Sequence, residues 1–219
     1  MKLKLLALFW CCVLSAAAGT WTDALSRMPL PPNTVLSRDN CMRVVLEAFK
    51  SNGTVRAIAF LPGVSDDFYL LNREKPKLNA KASNLAEAIG VLTNLTDVRA
   101  TFRDGLLLLH LACESVDVRI TVKSERQAAK LKDGSSVHHV FWLDRHWDKV
   151  QPQLGSAIKI RIVPGTGSKD AWHFARCNVV GWNLNPWDLV TVTGLSSGTS
   201  VAIENRRVVF SASVSRRTG

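Results

Sequence analysis

Histidine and tryptophan supply most of the reactive or recognition-competent side chains in this chain, with five of the former and seven of the latter. His138, His139 and His146 lie close together, while His110 and His173 fall on separate predicted strands. Neighbours on a strand project to opposite faces, so His138 and His139 do not converge on one metal ion without distortion. Neither Cys-x-x-Cys nor His-Glu-x-x-His spacing occurs, and these are the patterns that hold zinc. Neither a metal site nor a cofactor is expected. Gly165, Thr166 and Gly167 lack the further glycine and the lysine of a phosphate loop. Asp66 and Asp67 have no partners at calcium-loop spacing and read as a solvated turn. No hydrolase arrangement is read either, so the expectation is a protein without catalytic machinery.

Tryptophan carries the binding signal. Trp142, Trp147, Trp172, Trp182 and Trp187 all fall in the second half of the chain. A tryptophan offers a large apolar face and one donor nitrogen, which suits a partner surface or a sugar ring. Trp147 and Trp187 occupy positions of helical core residues. Trp142, Trp172 and Trp182, beside the cations Lys169 and Arg176, are the candidate binding face for an anionic glycan or a partner protein.

Two runs of elements position these residues. Residues 53–63 read GTVRAIAFLPG and residues 155–165 read GSAIKIRIVPG, an offset of 102. Residues 84–109 and 185–210 then align without a gap at an offset of 101, Glu87 meeting Asp188 and Phe102 meeting Ile203. In the first half the three-and-four spacing of Met42, Val45, Leu46 and Phe49 predicts a helix over 40–51. Strands are predicted over 55–61 and 67–71, a helix over 84–95 capped by Ser83 or Asn84, and a hairpin about Asp104 and Gly105. Val116, Val118, Ile120 and Val122 alternate with polar residues and predict a strand extending that meander.

The second half repeats the plan. Strands are predicted over 137–143, 158–163 and 171–179. Asp144 caps a helix reaching Leu154, Asn185 and Pro186 start a second one, and a hairpin closes the unit over 199–213. Val190, Thr191, Val192 and Thr193 are β-branched and weaken the second helix. The fold class is therefore α+β: two tandem small units, each two helices packed on small mixed sheets in a βαββαββ-like order.

The phrases that introduce the second helices resemble a known domain. Asn84-Leu85-Ala86-Glu87-Ala88-Ile89 is similar to the Leu-x-Glu-Ala-Leu start in the short domain at the N-termini of secretins and TonB-dependent receptors. The stretch from Val180 to Asp188, VGWNLNPWD, resembles the secretin version, in which a strand runs into Val-Pro-Trp-Asp. The resemblance covers most of 38–111 and 138–211. It implies a periplasmic adaptor role that meets an envelope partner and performs no chemistry.

The N-terminus sets the expected compartment. Lys2 and Lys4 precede an apolar run from Leu5 to Ser15, and Ala16 to Ala18 supply small residues for a cut before Gly19. The expected organisation is a signal peptide over 1–18, an extended lead-in over 19–36, a first unit over 37–123, a connector over 124–136, a second unit over 137–214 and a basic tail over 215–219. The product is expected to be periplasmic or secreted. A lipoprotein is not favoured, because Trp10 and Cys11 stand where lipoprotein cleavage wants a small residue before the cysteine. Of the cysteines beyond the leader, Cys41 and Cys113 are the candidate disulfide, since both belong to the first half and export permits one bridge; buried free thiols are the alternative. Lysine and arginine total 28 against 18 acidic residues. That balance favours anionic partners such as a glycan or a membrane surface. No nucleic-acid partner is expected, for want of a dense basic cluster. The function expected is a non-catalytic binding or assembly module of the bacterial envelope. The alternative is a glycan-binding protein or enzyme with a Trp-lined cleft in the second half.

Overall fold

Residues 21–37, 39–51, 53–65, 78–133, 137–165 and 175–212 are described by a computed structural model of the chain. The first half contributes α1 (21–26), β1 (Val35–Leu36), α2 (Cys41–Ala48), β2 (Ala57–Phe60), α3 (62–65), β3 (Ala80–Lys81), α4 (Leu85–Leu95), β4 (Val98–Arg103) and β5 (Leu106–Leu111). Next come β6 (Ile120–Val122) and α5 (Glu125–Lys132). The second half contributes β7 (His138–His146), α6 (Trp147–Ile158), β8 (Arg161–Pro164), β9 (Arg176–Leu184), α7 (Pro186–Ser197), β10 (Thr199–Glu204) and β11 (Arg207–Ala212). The class is α+β with mixed sheets.

The internal repetition is visible in three dimensions. At the offset of 101, β4 and β5 fall on β10 and β11 to the residue. In each half a helix, a strand, a second helix and a hairpin follow one another. The first strand pairs parallel with the last one, β2 with β5 and β8 with β11. The second helices start alike. The Asn84 side-chain oxygen accepts the Glu87 amide at 2.9 Å, and that of Asn185 accepts the Asp188 amide at 2.7 Å, satisfying an N–H that the first turn leaves without a helical partner.

The two units interlock, and here the expected boundaries need correction. Strands β4, β5, β2, β9 and β7 form one five-stranded sheet in that order, so β7 and β9 of the second half complete the sheet of the first. Conversely, β6 joins the sheet β6-β10-β11-β8, where it runs parallel to β10 and does not extend the β4–β5 meander. The reason lies in β2. All four of its residues are buried, apolar on both faces, and such a strand cannot be left as a sheet edge. Antiparallel pairing of Ala57–Phe60 with Gly181–Asn178 covers it.

Alternation along the shared sheet separates two cores. Ile58, Phe60, Leu107, Leu109 and Val180 face α2 and α4, whereas Ala57, Ala59, Leu106, Leu108 and Val179 face α6 and α7. Helix α7 lies between the two sheets and is buried nearly all round. Tertiary burial of this kind outweighs the modest helix propensity of Val190–Thr193. Gly198 ends α7 in the left-handed region at φ +65°, and a Cβ there would stand 2.8 Å from Pro62 Cγ. A second correction concerns Asp144. It does not cap a helix, because β7 runs on to His146 and α6 starts at Trp147. Asp144 sits at φ +50° where the β7–β9 register slips between Trp142 and Arg145. The predicted strand over 67–71 and the leader over 1–18 lie outside the described residues. Among those described, no helix is long and apolar enough to cross a membrane.

Candidate functional site at the edge of the five-stranded sheet

Four large apolar side chains are exposed among the described residues, and three of them share one place. Val137 (57 % exposed) precedes β7, Phe141 (48 %) lies on it, and Trp182 (38 %) lies on its neighbour β9. Residues 137, 139 and 141 share the sheet face that, further along at Leu143, packs into the α2–α4 core. The indole of Trp182 meets the His139 ring at 4.9 Å and a 52° tilt. Its backbone N–H donates to the Arg56 carbonyl at 2.8 Å, which ties the aromatic to the shared sheet.

Local backbone shapes this corner. The β7–β9 register shifts between His138 and Val140, where Asn183 takes φ +54° and donates its N–H to His139 Nδ1 at 3.3 Å. A Cβ on Gly181 would meet Leu184 Cδ1 at 2.5 Å, so the turn of the strand into Leu184 depends on glycine there. His138 points to the other face of the strand, and its Nε2 is buried without a partner. Loss of solvent, and secondarily the charges of His139 and Lys159, lower its pKa below the ordinary histidine value.

The sequence-predicted site residues divide. Trp182 is on the surface, as a binding role requires. Trp142 is not. It is 2 % exposed, and its Nε1 donates to Gln153 Oε1 at 2.9 Å, because on β7 it alternates with Phe141 and so faces α6. Arg176 pairs with Asp144 and clamps the β7 bulge from β9. Trp172 and Lys169 lie outside the described residues, as do His173 and the Asp66–Asp67 pair. Trp147 is core, with its ring 4.9 Å from Phe210, and Trp187 is partly buried beneath the Lys132 ammonium at 4.4 Å. The candidate disulfide does not form. Cys41 is buried at the start of α2, Cys113 is exposed in the turn after β5, and both are thiols, as is the buried Cys177.

One motif escaped the reading of the sequence. Gly194-Leu195-Ser196-Ser197-Gly198 spells the nucleophile-elbow pattern, whose chemistry needs a serine exposed on a strand-to-helix turn. Ser196 is instead fully buried at the end of α7, donating to the Phe60 carbonyl at 3.0 Å and accepting the Asn178 N–H at 2.8 Å. It is a joint between the halves. No group of three or more His, Cys, Asp or Glu residues is placed to hold a metal ion among the described residues. A cleft of about 340 Å3 opens between α1 and the end of α2, lined by Ala24, Met28, Pro29 and Ala48 with Arg27 and Lys50. It contains no tryptophan and shares no residue with the sheet-edge patch.

Fold and site together define an α+β protein of two interlocked repeats that presents an aromatic patch at one sheet edge. Compared with known proteins, the chain matches no family model, no curated protein and no solved structure.

Proposed function

We propose that this chain is a non-catalytic binding or assembly module, exported to the periplasm or secreted, that holds a protein partner of the bacterial envelope through the Val137–Phe141–Trp182 patch. The observation that carries the reading is the clustering of exposed large apolar side chains on adjacent strands. Single exposed apolar residues are ordinary, whereas a contiguous group marks an interaction surface. Aromatic anchors of this kind supply much of the energy of protein interfaces. The repeated unit and its resemblance to the secretin-type short domain support an adaptor role, and the basic leader supports export.

The test is capture from envelope extract with the full chain, compared with Phe141→Lys and Trp182→Ser. A partner retained by the parent protein should be depleted at least tenfold by either substitution. Equal retention by all three proteins contradicts the proposal.

A further inference from the structure

We infer that the β7 edge takes up an extended protein segment as an added strand, one with alternate apolar side chains and carboxylates towards both ends. This rests on the binding role proposed above and specifies its mode and partner chemistry. β7 is terminal in the five-stranded sheet, with β9 as its pairing partner among the described strands. An edge strand leaves a row of N–H and C=O groups for another chain, and proteins blunt such edges with charge, proline, bulges or shortness. The other edges of the two larger sheets are blunted. β4 carries Arg99 and Arg103, β8 carries Arg161 and Pro164, and β6 is three residues long between Arg119 and Lys123. The stretch from Val137 to Leu143, VHHVFWL, has no Lys, Arg, Asp, Glu or Pro.

Length and charge identify the occupant. Val137 to Trp142 precede the bulge at Asp144, and the irregularity between His138 and Val140 places its extra residue on β9, so β7 stays extended there; at about 3.3 Å per residue the stretch gives an edge of roughly 20 Å. Arg145 follows this stretch, and α6, which packs back along β7, ends at its C-cap Lys159 towards the His138 end. Neither cation makes an ion pair among those between described residues. A strand with an apolar middle and a carboxylate at each end complements this edge in either direction. The same edge of a second copy brings its own Arg145 and Lys159 to these ends, cation against cation, and does not complement it.

The test uses the full chain and the peptide acetyl-Glu-Thr-Val-Thr-Val-Thr-Val-Glu-amide, read by amide hydrogen exchange. With a Kd of about 1 mM, 5 mM peptide should slow exchange over residues 137–142 about sixfold and leave β4 unchanged. The same peptide N-methylated at one valine and the adjacent threonine should protect nothing, and a Lys-ended version should protect at least threefold less. Phe141→Lys or Val137→Lys, folded by circular dichroism, should abolish the effect. Absence of protection, or no difference between Glu-ended and Lys-ended peptides, overturns the inference. Equal protection by the methylated peptide also overturns it, because side-chain docking without strand addition would then remain, and the binding role with it. Protection of β7 in the free protein that rises with protein concentration assigns the edge to a second copy and overturns it too. Failure of the binding role is separate and is read from capture by Phe141→Lys.

Discussion

Replacing Asn178 with leucine tests how the two halves are joined. Asn178 lies fully buried on β9, opposite Phe60 of β2. Its side-chain amide donates to Ser65 Oγ at 3.0 Å, and its oxygen accepts the Asp144 N–H at 2.6 Å. Leucine has a similar volume but leaves a hydroxyl and a backbone N–H without partners in the interior, at about 1–3 kcal/mol each. The hydroxyl can rotate to another acceptor, and the added apolar surface returns about 1 kcal/mol. A net loss of about 2–3 kcal/mol results, lowering the melting temperature by roughly 5–10 °C for a chain of this size. Urea unfolding followed by tryptophan fluorescence and circular dichroism measures it. Ser65→Ala in the Asn178→Leu background should cost at least 1 kcal/mol less than in the parent, since the orphaned hydroxyl is gone. A loss below 1 kcal/mol, or strict additivity of the two substitutions, refutes the claim that this network ties β2, β7, β9 and α3 together.

Further predictions follow from the repeat, the thiols and His138. Asn84→Ala and Asn185→Ala should each cost about 1 kcal/mol in chemical unfolding, because each removes the same cap at equivalent positions of the two units. Among the described cysteines, Cys113 should react with a disulfide reagent within minutes, and Cys177, whose pKa burial pushes far up, only on unfolding; a blocked Cys113 in non-reduced protein would instead indicate a Cys41–Cys113 bridge. His138 should titrate below the ordinary histidine pKa of about 6.5 in NMR. The unfolded chain then binds the proton more readily, so stability present above the unfolded pKa falls as pH drops through it towards the folded value. A His138→Gln variant should flatten the pH dependence of unfolding in that window.

Local patterns made the repeat and most of its elements legible. The Asn caps, the Asp104–Gly105 turn and the alternation in each hairpin place α4, α7, β4, β5, β10 and β11 where the residues indicate. Long-range pairing was not legible. Nothing local in RCNVVGWNL tells that β9 leaves its own repeat to cover β2, although the doubly apolar AIAF of β2 demands a partner on each side. Likewise, tryptophan content alone could not separate Trp142 from Trp182, because the sheet face each occupies depends on that pairing. The patch itself had a sequence signal in the uncharged run VHHVFWL, which becomes meaningful once β7 is known to be an edge.

A photo-crosslinking phenylalanine analogue placed in turn at Phe141 on β7, Phe102 on β4, Val163 on β8 and Thr121 on β6 compares the four edges of the two larger sheets in one experiment. Protein adducts in envelope extract should form at position 141 and be at least tenfold weaker at the other three. Adducts of similar yield at several edges, or their absence at position 141 alone, would contradict an account in which β7 is the docking edge.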